Sequence, residues 1–250
     1  MNSNGFLKYR RNKYSQNGED GVIAEIMNRM NICSGWFCEF GAWDGKYGSN
    51  TYALLRSGWH GVMIEGDGSR FRSLQRTAKS FPDNLFIKRT YVTHNGGPNL
   101  LDNLLVKTQI PQDFDLLSVD IDSYDYHVWR SLKEYRPKVV VIEIDSSTAP
   151  GEIYVYNGGS RLTSFSAMLR LGQEKGYKLI CHTGNLLFVA AEYVQCLKID
   201  PTFSENPNRL FISDWVAPRK SQILKRKIRN MTLQRAFVKI ENFLRQLRGQ

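Results

Sequence analysis

Cysteine and histidine are scarce in this sequence, with four of each among 250 residues. Cys33, Cys38, Cys181 and Cys196 form no C-x-x-C pair, and no histidine stands at zinc-ligand spacing from them. That excludes a structural zinc clip. Lying in or beside apolar runs, these thiols read as core filler, which suits a reducing compartment. Eighteen consecutive apolar residues occur nowhere, so no segment is expected to span a membrane. The opening MNSNGFLKYRRNKYSQNGED has no apolar stretch of signal-peptide type, and the chain reads as cytoplasmic. Internal repeats and low-complexity tracts are missing as well.

Charge is present but unevenly placed. Of 34 basic and 24 acidic residues, ten basic and one acidic lie in 219–250, which leaves residues 1–218 nearly neutral. Nine of the ten excess positive charges therefore belong to a tail, and a nucleic-acid-binding role for the whole protein is not indicated. Within that tail, Leu224, Ile228, Met231, Phe237, Ile240, Phe243, Leu244 and Leu247 recur at helical spacing among basic residues, after Pro218. The pattern predicts a basic amphipathic helix. It either packs its apolar stripe on the body or meets an anionic membrane surface at the inner face, or a protein partner. Three regions follow: an N-terminal helical cover over 1–35, an α/β body over 36–218, and the tail over 219–250.

In the body, short apolar runs alternate with helical patterns, the mark of βαβ units around a parallel sheet. The strand candidates are Trp36–Phe40, Gly61–Glu65, Leu85–Tyr91, Phe114–Val119, Lys138–Ile144, Lys178–Cys181 and Leu186–Ala190. Runs such as Val139-Val140-Val141-Ile142 suggest strands covered on both faces. Helices are expected near 50–58, 69–80, 97–108, 124–134 and 163–175, with another over Gln16–Met30. Gly176 is a helix-stop signal, and His182-Thr183-Gly184-Asn185 is short enough to make the last two strands an antiparallel hairpin. The fold class is thus α/β, with a seven-stranded, mostly parallel, Rossmann-like sheet. Ligands of such sheets bind at the carboxyl ends of the strands.

Four strand ends carry candidate chemistry. After the first comes Glu39-Phe40-Gly41-Ala42-Trp43-Asp44-Gly45, whose glycines allow a tight turn. Trp43 occupies the place of the second glycine in a dinucleotide fingerprint, which disfavours a pyrophosphate there. S-adenosylmethionine has no phosphate and needs no such clearance. The second strand ends at Glu65, placed where a carboxylate commonly accepts hydrogen bonds from a ribose diol. The fourth and fifth strands end in Asp120-Ile121-Asp122 and Glu143-Ile144-Asp145, a set of acids that repel unless a cation or a shared proton relieves them. Asp122 and Glu143 are candidates for contact with an acceptor or for removing its proton, and His127 is a further candidate base. Asp122, Glu143 and Asp145 could instead hold a Mg²⁺-like ion. Asp125 is a candidate helix cap, and Ser15 with Glu19 resembles a loose capping arrangement.

Taken in order, YSQNGEDGVI, FCEFGAWDG, SNTYALLRSGWHGVMIEGD, FDLLSVDID, RPKVVVIEID and GYKLICHTGNLLFV resemble the FkbM-type methyltransferase family, from about Tyr14 to about Ala190. The resemblance implies an S-adenosylmethionine-dependent fold with sheet order 3-2-1-4-5-7-6. It also implies O-methylation of a sugar, glycan or natural-product hydroxyl. By position it puts Gly41 and Asp44 on the cofactor loop, Glu65 on the ribose and Asp120 beside the methionine end. Gln16, Glu39, Gly45 and Asn50 complete the candidate cofactor set. Where the family commonly has a Glu-Gly pair after the fourth strand, this chain has Asp122-Ser123-Tyr124-Asp125-Tyr126, which marks a divergent subgroup. The rival classes are another Rossmann-type enzyme, such as an oxidoreductase or nucleotide-sugar enzyme, and a non-catalytic adaptor built around the tail.

Overall fold

In the computed structural model, which describes residues 5–216, all seven strands form. They are β1 (Trp36–Phe40), β2 (His60–Glu65), β3 (Leu85–Arg89), β4 (Leu116–Val119), β5 (Val139–Glu143), β6 (Tyr177–His182) and β7 (Asn185–Ala190). Their order across the sheet is β3-β2-β1-β4-β5-β7-β6, the order the resemblance implies. The first five run parallel, and β7 pairs antiparallel with both β5 and β6. Around them lie α1 (Glu19–Arg29), α2 (Tyr52–Arg56), α3 (Gly68–Ala78), α4 (Leu101–Leu105), α5 (Asp125–Ser131), α6 (Phe165–Glu174) and α7 (Pro201–Glu205). The chain divides into two units after Ile212, and the sheet lies in the first. The basic amphipathic helix expected within 219–250 falls outside the described residues.

Both faces of the sheet are covered, and the period of two shows which residue goes where. On β5, Val139 and Val141 join Phe37, Leu116 and Leu187 against Val22, Ile23 and Ile26 of α1. Their neighbours Val140 and Ile142 join Phe40, Leu117 and Phe188 against Trp129 of α5 and Phe165 of α6. Each large apolar side chain buried in this way contributes about 1.5–3 kcal/mol. At the amino ends of the strands, Asp115 accepts the Trp36 N–H (2.8 Å) and pairs with Lys138 (2.6 Å), aligning the entries to β1, β4 and β5.

Some boundaries differ from the sequence expectations, each for a local reason. The helix expected over 97–108 is confined to Leu101–Leu105, because Gly96 and Gly97 take left-handed φ values of 104° and 89°. The first helix starts at Glu19 rather than Gln16, since Gly18 at φ 95° ends the preceding loop. Ser15 does not pair with Glu19. Its hydroxyl accepts the Asp20 N–H (3.1 Å), and Asp20 Oδ2 accepts the N–H groups of Lys13, Tyr14 and Ser15 (2.8, 2.7 and 2.9 Å). Asp125 is the first residue of α5, not its cap, and accepts from the loop in front of it. No helix among the described residues is long and apolar enough to cross a membrane.

The hairpin closes through Thr183 and Gly184 (φ 112°), and His182 at its entry is fully buried. His182 Nδ1 accepts the Ile212 N–H (2.9 Å), so the proton must sit on Nε2, which faces Ser146 Oγ at 2.8 Å. Ser146 in turn donates to the Gly184 carbonyl (2.6 Å), and Phe211 stacks on the imidazole 5.0 Å away. Burial, with Arg10 adding a smaller push, lowers the His182 pKa to about 4. The folded state thus holds this ring neutral where the unfolded chain would charge it. Stability from this group is complete above pH 6.5 and is lost as pH falls from there through 4, by on the order of 3 kcal/mol. Denaturant titrations between pH 7 and pH 4 should show this contribution as a difference: His182→Gln should lose less stability on acidification than the wild type over that window.

Candidate functional site

A carboxylate in the floor organises the carboxyl ends of the central strands. Glu39 is 4% exposed, near the end of β1. Its Oε2 accepts from Ser49 Oγ (2.6 Å) and Thr51 Oγ1 (2.7 Å), and its Oε1 accepts from the Asn50 N–H (3.0 Å) and Ser118 Oγ (3.4 Å). Asn50 Nδ2 donates to Ser118 Oγ (3.1 Å), joining the loop before α2 to β4. Burial pushes the Glu39 carboxyl up, and these hydrogen bonds pull it back. Glu39 and Asn50 thus sit beneath the mouth. Ser49, Thr51 and Ser118, which complete the network, were not picked out from the sequence. A serine inside the apolar run Leu116-Leu117-Ser118-Val119 was the available signal.

Above this floor the first loop turns sharply. Gly41 has φ 76°, and a Cβ there would lie 1.8 Å from the Asp120 carbonyl oxygen, so only glycine lets β1 and β4 leave the sheet side by side. Gly45, at φ 73°, is packed under α3, where a Cβ would meet Leu74 and Met63. Asp44 Oδ1 accepts the N–H groups of Lys46 (2.9 Å) and Tyr47 (2.8 Å), which shapes its own loop. Glu65 is held by two backbone donors: Oε2 accepts from Trp43 N–H (2.8 Å) and Oε1 from Asp67 N–H (2.7 Å). Each oxygen keeps a second lone pair. The Tyr91 ring covers Gly66, since a Cβ there would come within 2.2 Å of it, and both Tyr91 and Trp43 are exposed beside Glu65. Ser15 bridges to Gly48, and the Gln16 side chain lies against that same glycine, bringing the N-terminal segment to the rim.

The acids gather on the other side of Gly41. Asp120, Asp122 and Glu143 each bring a carboxylate oxygen to within 4.8 Å of the other two. Asp145 is turned elsewhere, accepting from Ser147 N–H (3.1 Å) and Thr148 Oγ1 (2.9 Å) and facing Arg161 at 3.5 Å. The triad therefore contains Asp120 where the sequence had suggested Asp145. Burial, then the charges of Asp125, Asp122, Glu39 and Glu19, hold the half-buried Asp120 carboxyl well above the usual carboxylate range. Asp122 stands in the left-handed region at φ 58°. Asp125 draws that loop inward by accepting the N–H groups of Ile121 and Ser123, both at 2.9 Å.

His127 lies on α5 among rings. Its Nε2 is 2.8 Å from the Tyr156 carbonyl, which can only accept, so Nε2 carries a proton and Nδ1 is left as its basic nitrogen. His94, from the loop after β3, stacks on Tyr124 (4.7 Å) and lies 4.9 Å from the His127 ring, while Tyr156 meets Tyr124 edge-on. Loops after β3, β4 and β5 thus converge beside Asp122. His94 and Tyr156 were not singled out from the sequence.

No protein-family model and no curated protein matches the chain. Among solved structures it is similar to an S-adenosylmethionine-dependent methyltransferase from Clostridium acetobutylicum, at 7% identity, a TM-score of 0.44, and coverage of 70% of this chain and 92% of that one. It is also similar to the N-terminal domain of EvdMO1 with S-adenosylhomocysteine bound, at 10% identity, a TM-score of 0.44, and 70% and 80% coverage. A third similarity is to the cyclase SpnF, at 13% identity, a TM-score of 0.43, and 69% and 63% coverage. Likenesses this remote assign no activity, which has to be argued from the chain's own geometry.

Two outcomes follow from the site. Gly41→Ala should destabilise the fold by about 3 kcal/mol or more in denaturant unfolding, because a clash with fixed backbone adds to a strained φ. Burial raises the Asp125 pKa to about 6, despite the N–H groups that favour its charge. Stability from that proton is complete below about pH 4 and is lost as pH rises through 6, by on the order of 3 kcal/mol. The sign is opposite to that of His182 in the same window. Asp125→Asn should therefore steepen the net loss of stability on acidification, and an unchanged slope would refute the assignment.

Proposed function

We propose that the chain is an S-adenosylmethionine-dependent methyltransferase acting on oxygen, with a hydroxyl of a sugar, glycan or natural product as acceptor. The observation that carries this reading is the placement of Glu65. A carboxylate at the end of β2 is oriented by two backbone N–H groups beside the Gly41–Gly45 turn, next to the point where the strand order reverses. In that position Glu65 accepts from the ribose hydroxyls, and the exposed Trp43 and Tyr91 rings beside it offer faces to the adenine. The Gly41 turn lets the methionine end approach Asp120, and the segment carrying Gln16 shields that side from water.

The sulfonium makes the donor methyl electrophilic, so the protein's share is alignment, exclusion of water and removal of one proton. The acceptor oxygen forms its bond to the methyl carbon as the carbon–sulfur bond breaks. The electron pair stays on sulfur, giving S-adenosylhomocysteine, and the hydroxyl proton passes to a base. Asp120, Asp122 and Glu143 are the bases at hand. Asp120, whose burial and acidic neighbours favour its protonated form, brings an oxygen within 4.8 Å of the other two. The same three carboxylates are hard oxygen donors that suit Mg²⁺, and a cation there would relieve their repulsion and acidify the acceptor hydroxyl. His127, with one nitrogen committed to Tyr156, is the weaker candidate.

S-adenosylhomocysteine should raise the unfolding temperature of the purified protein, since it binds the native state only. Glu65→Ala should remove most of that rise; equal affinity in the variant would place the cofactor elsewhere. Asp122→Asn and Glu143→Gln should lower methyl transfer to a hydroxylated acceptor by about 100-fold or more while leaving cofactor affinity within about threefold. Loss of turnover with a chelator and its return with Mg²⁺ assigns the triad to a metal, whereas indifference to the chelator assigns it to proton removal.

A further inference from the structure

A cavity of about 120 Å³ lies away from the mouth, at the edge of the sheet where β6 is bulged between Leu179 and Cys181. Its apolar floor includes Phe6, Leu179, Phe203 and Leu210, all buried. Lys8, Arg29, Lys198 and Asp200 also line it, three cations against one acid. The acid is committed elsewhere, with Asp200 Oδ1 accepting the Thr202 N–H (2.9 Å) and hydroxyl (2.8 Å) at the start of α7.

Arg29 is held rigidly. Its Nε donates to Glu25 (2.7 Å), Nη1 to the Leu197 carbonyl and Nη2 to Tyr9 Oη (3.0 Å), while the guanidinium lies 4.6 Å from the centre of the Phe6 ring. A guanidinium has five N–H groups, so one remains on each terminal nitrogen beyond these three bonds. The ordering cost of presenting them has already been met by the fold. Lys8 and Lys198 are exposed and add two cations to the lining, the Lys8 ammonium 5.0 Å from the centre of the Tyr9 ring.

Size and polarity narrow the occupant. An apolar cavity of about 150 Å³ holds a benzene-sized molecule, so this one suits about five non-hydrogen atoms. Inorganic phosphate matches that size but would press oxygens against the apolar floor without partners, which is costly. An anion with a short alkyl body and one charged end matches both parts of the lining. We propose that this cavity is a binding site for a short-chain carboxylate of about propionate size, its alkyl group on Phe6, Leu179 and Phe203 and its carboxylate toward Arg29, Lys8 and Lys198. The inference is independent of the methyl-transfer reading.

The test uses the full chain, calorimetry and amide chemical shifts, with sodium propionate as probe and inorganic phosphate and chloride as parallel arms at matched ionic strength. Propionate should bind saturably, shift Phe6 and Ile199, and do so equally with S-adenosylhomocysteine present. The surface double variant Lys8→Gln/Lys198→Gln should weaken it by about fivefold or more without a change in unfolding temperature, as loss of two nearby charges requires. No saturable propionate binding would overturn the proposal, as would equal affinity in the double variant. Phosphate binding more tightly than propionate would overturn the carboxylate assignment.

Discussion

Everything at the mouth of this sheet rests on one buried carboxylate. Glu39 carries its hydrogen-bond acceptors into the floor, and its partners come from two places in the chain: the loop over 49–51 and Ser118 on β4. No cation neutralises it among the contacts described, so the hydrogen bonds alone must offset its desolvation. The consequence is geometric. The loop after β1 and the end of β4 are fixed relative to each other, and Gly41 can then pass within contact of the Asp120 carbonyl. Loosening that carboxylate would loosen the Gly41 turn and the acid triad together.

The same concentration of negative charge explains the electrostatics of the site. Burial holds the Asp120 and Asp125 carboxyls above their ordinary range, and the charges of Asp125, Asp122, Glu39 and Glu19 add to it at Asp120. Folding pays for this arrangement with apolar burial on both faces of the sheet, which is large enough to carry several unfavourable charges. A site with stored repulsion favours a bound cation or an abstracted proton, since either relieves it. That is the physical link between the fold's internal tension and the chemistry proposed for it.

Helical and strand periodicity made the body legible. Alternating apolar runs, Gly176 and the Thr183-Gly184 turn located the strands, most of the helices and the closing hairpin, because each depends on residues close in sequence. The helix expected over 97–108 came out short for an equally local reason, the left-handed glycines at 96 and 97. The site was legible as a set of strand ends but not as a set of contacts. Glu65 and Asp120 could be placed from their strands, whereas the partnership of Glu39 with Ser49, Thr51 and Ser118 spans up to 79 residues.

The sequence by itself determined the α/β class, the strand positions and the carboxyl edge where chemistry would gather, since these follow from period, turn residues and the neutral balance of the body. Only the tertiary structure decided which acids meet. Asp120 joins Asp122 and Glu143 because β4 and β5 are adjacent and Asp125 pulls the intervening loop inward, while Asp145, two residues from Glu143, is drawn off by Ser147, Thr148 and Arg161. It also decided that His182 stays neutral, that His94 and Tyr156 flank His127, and that Arg29 lines a cavity at the β6 edge. Each of these depends on distances between segments far apart in the chain, and spacing along one segment carries no information about them.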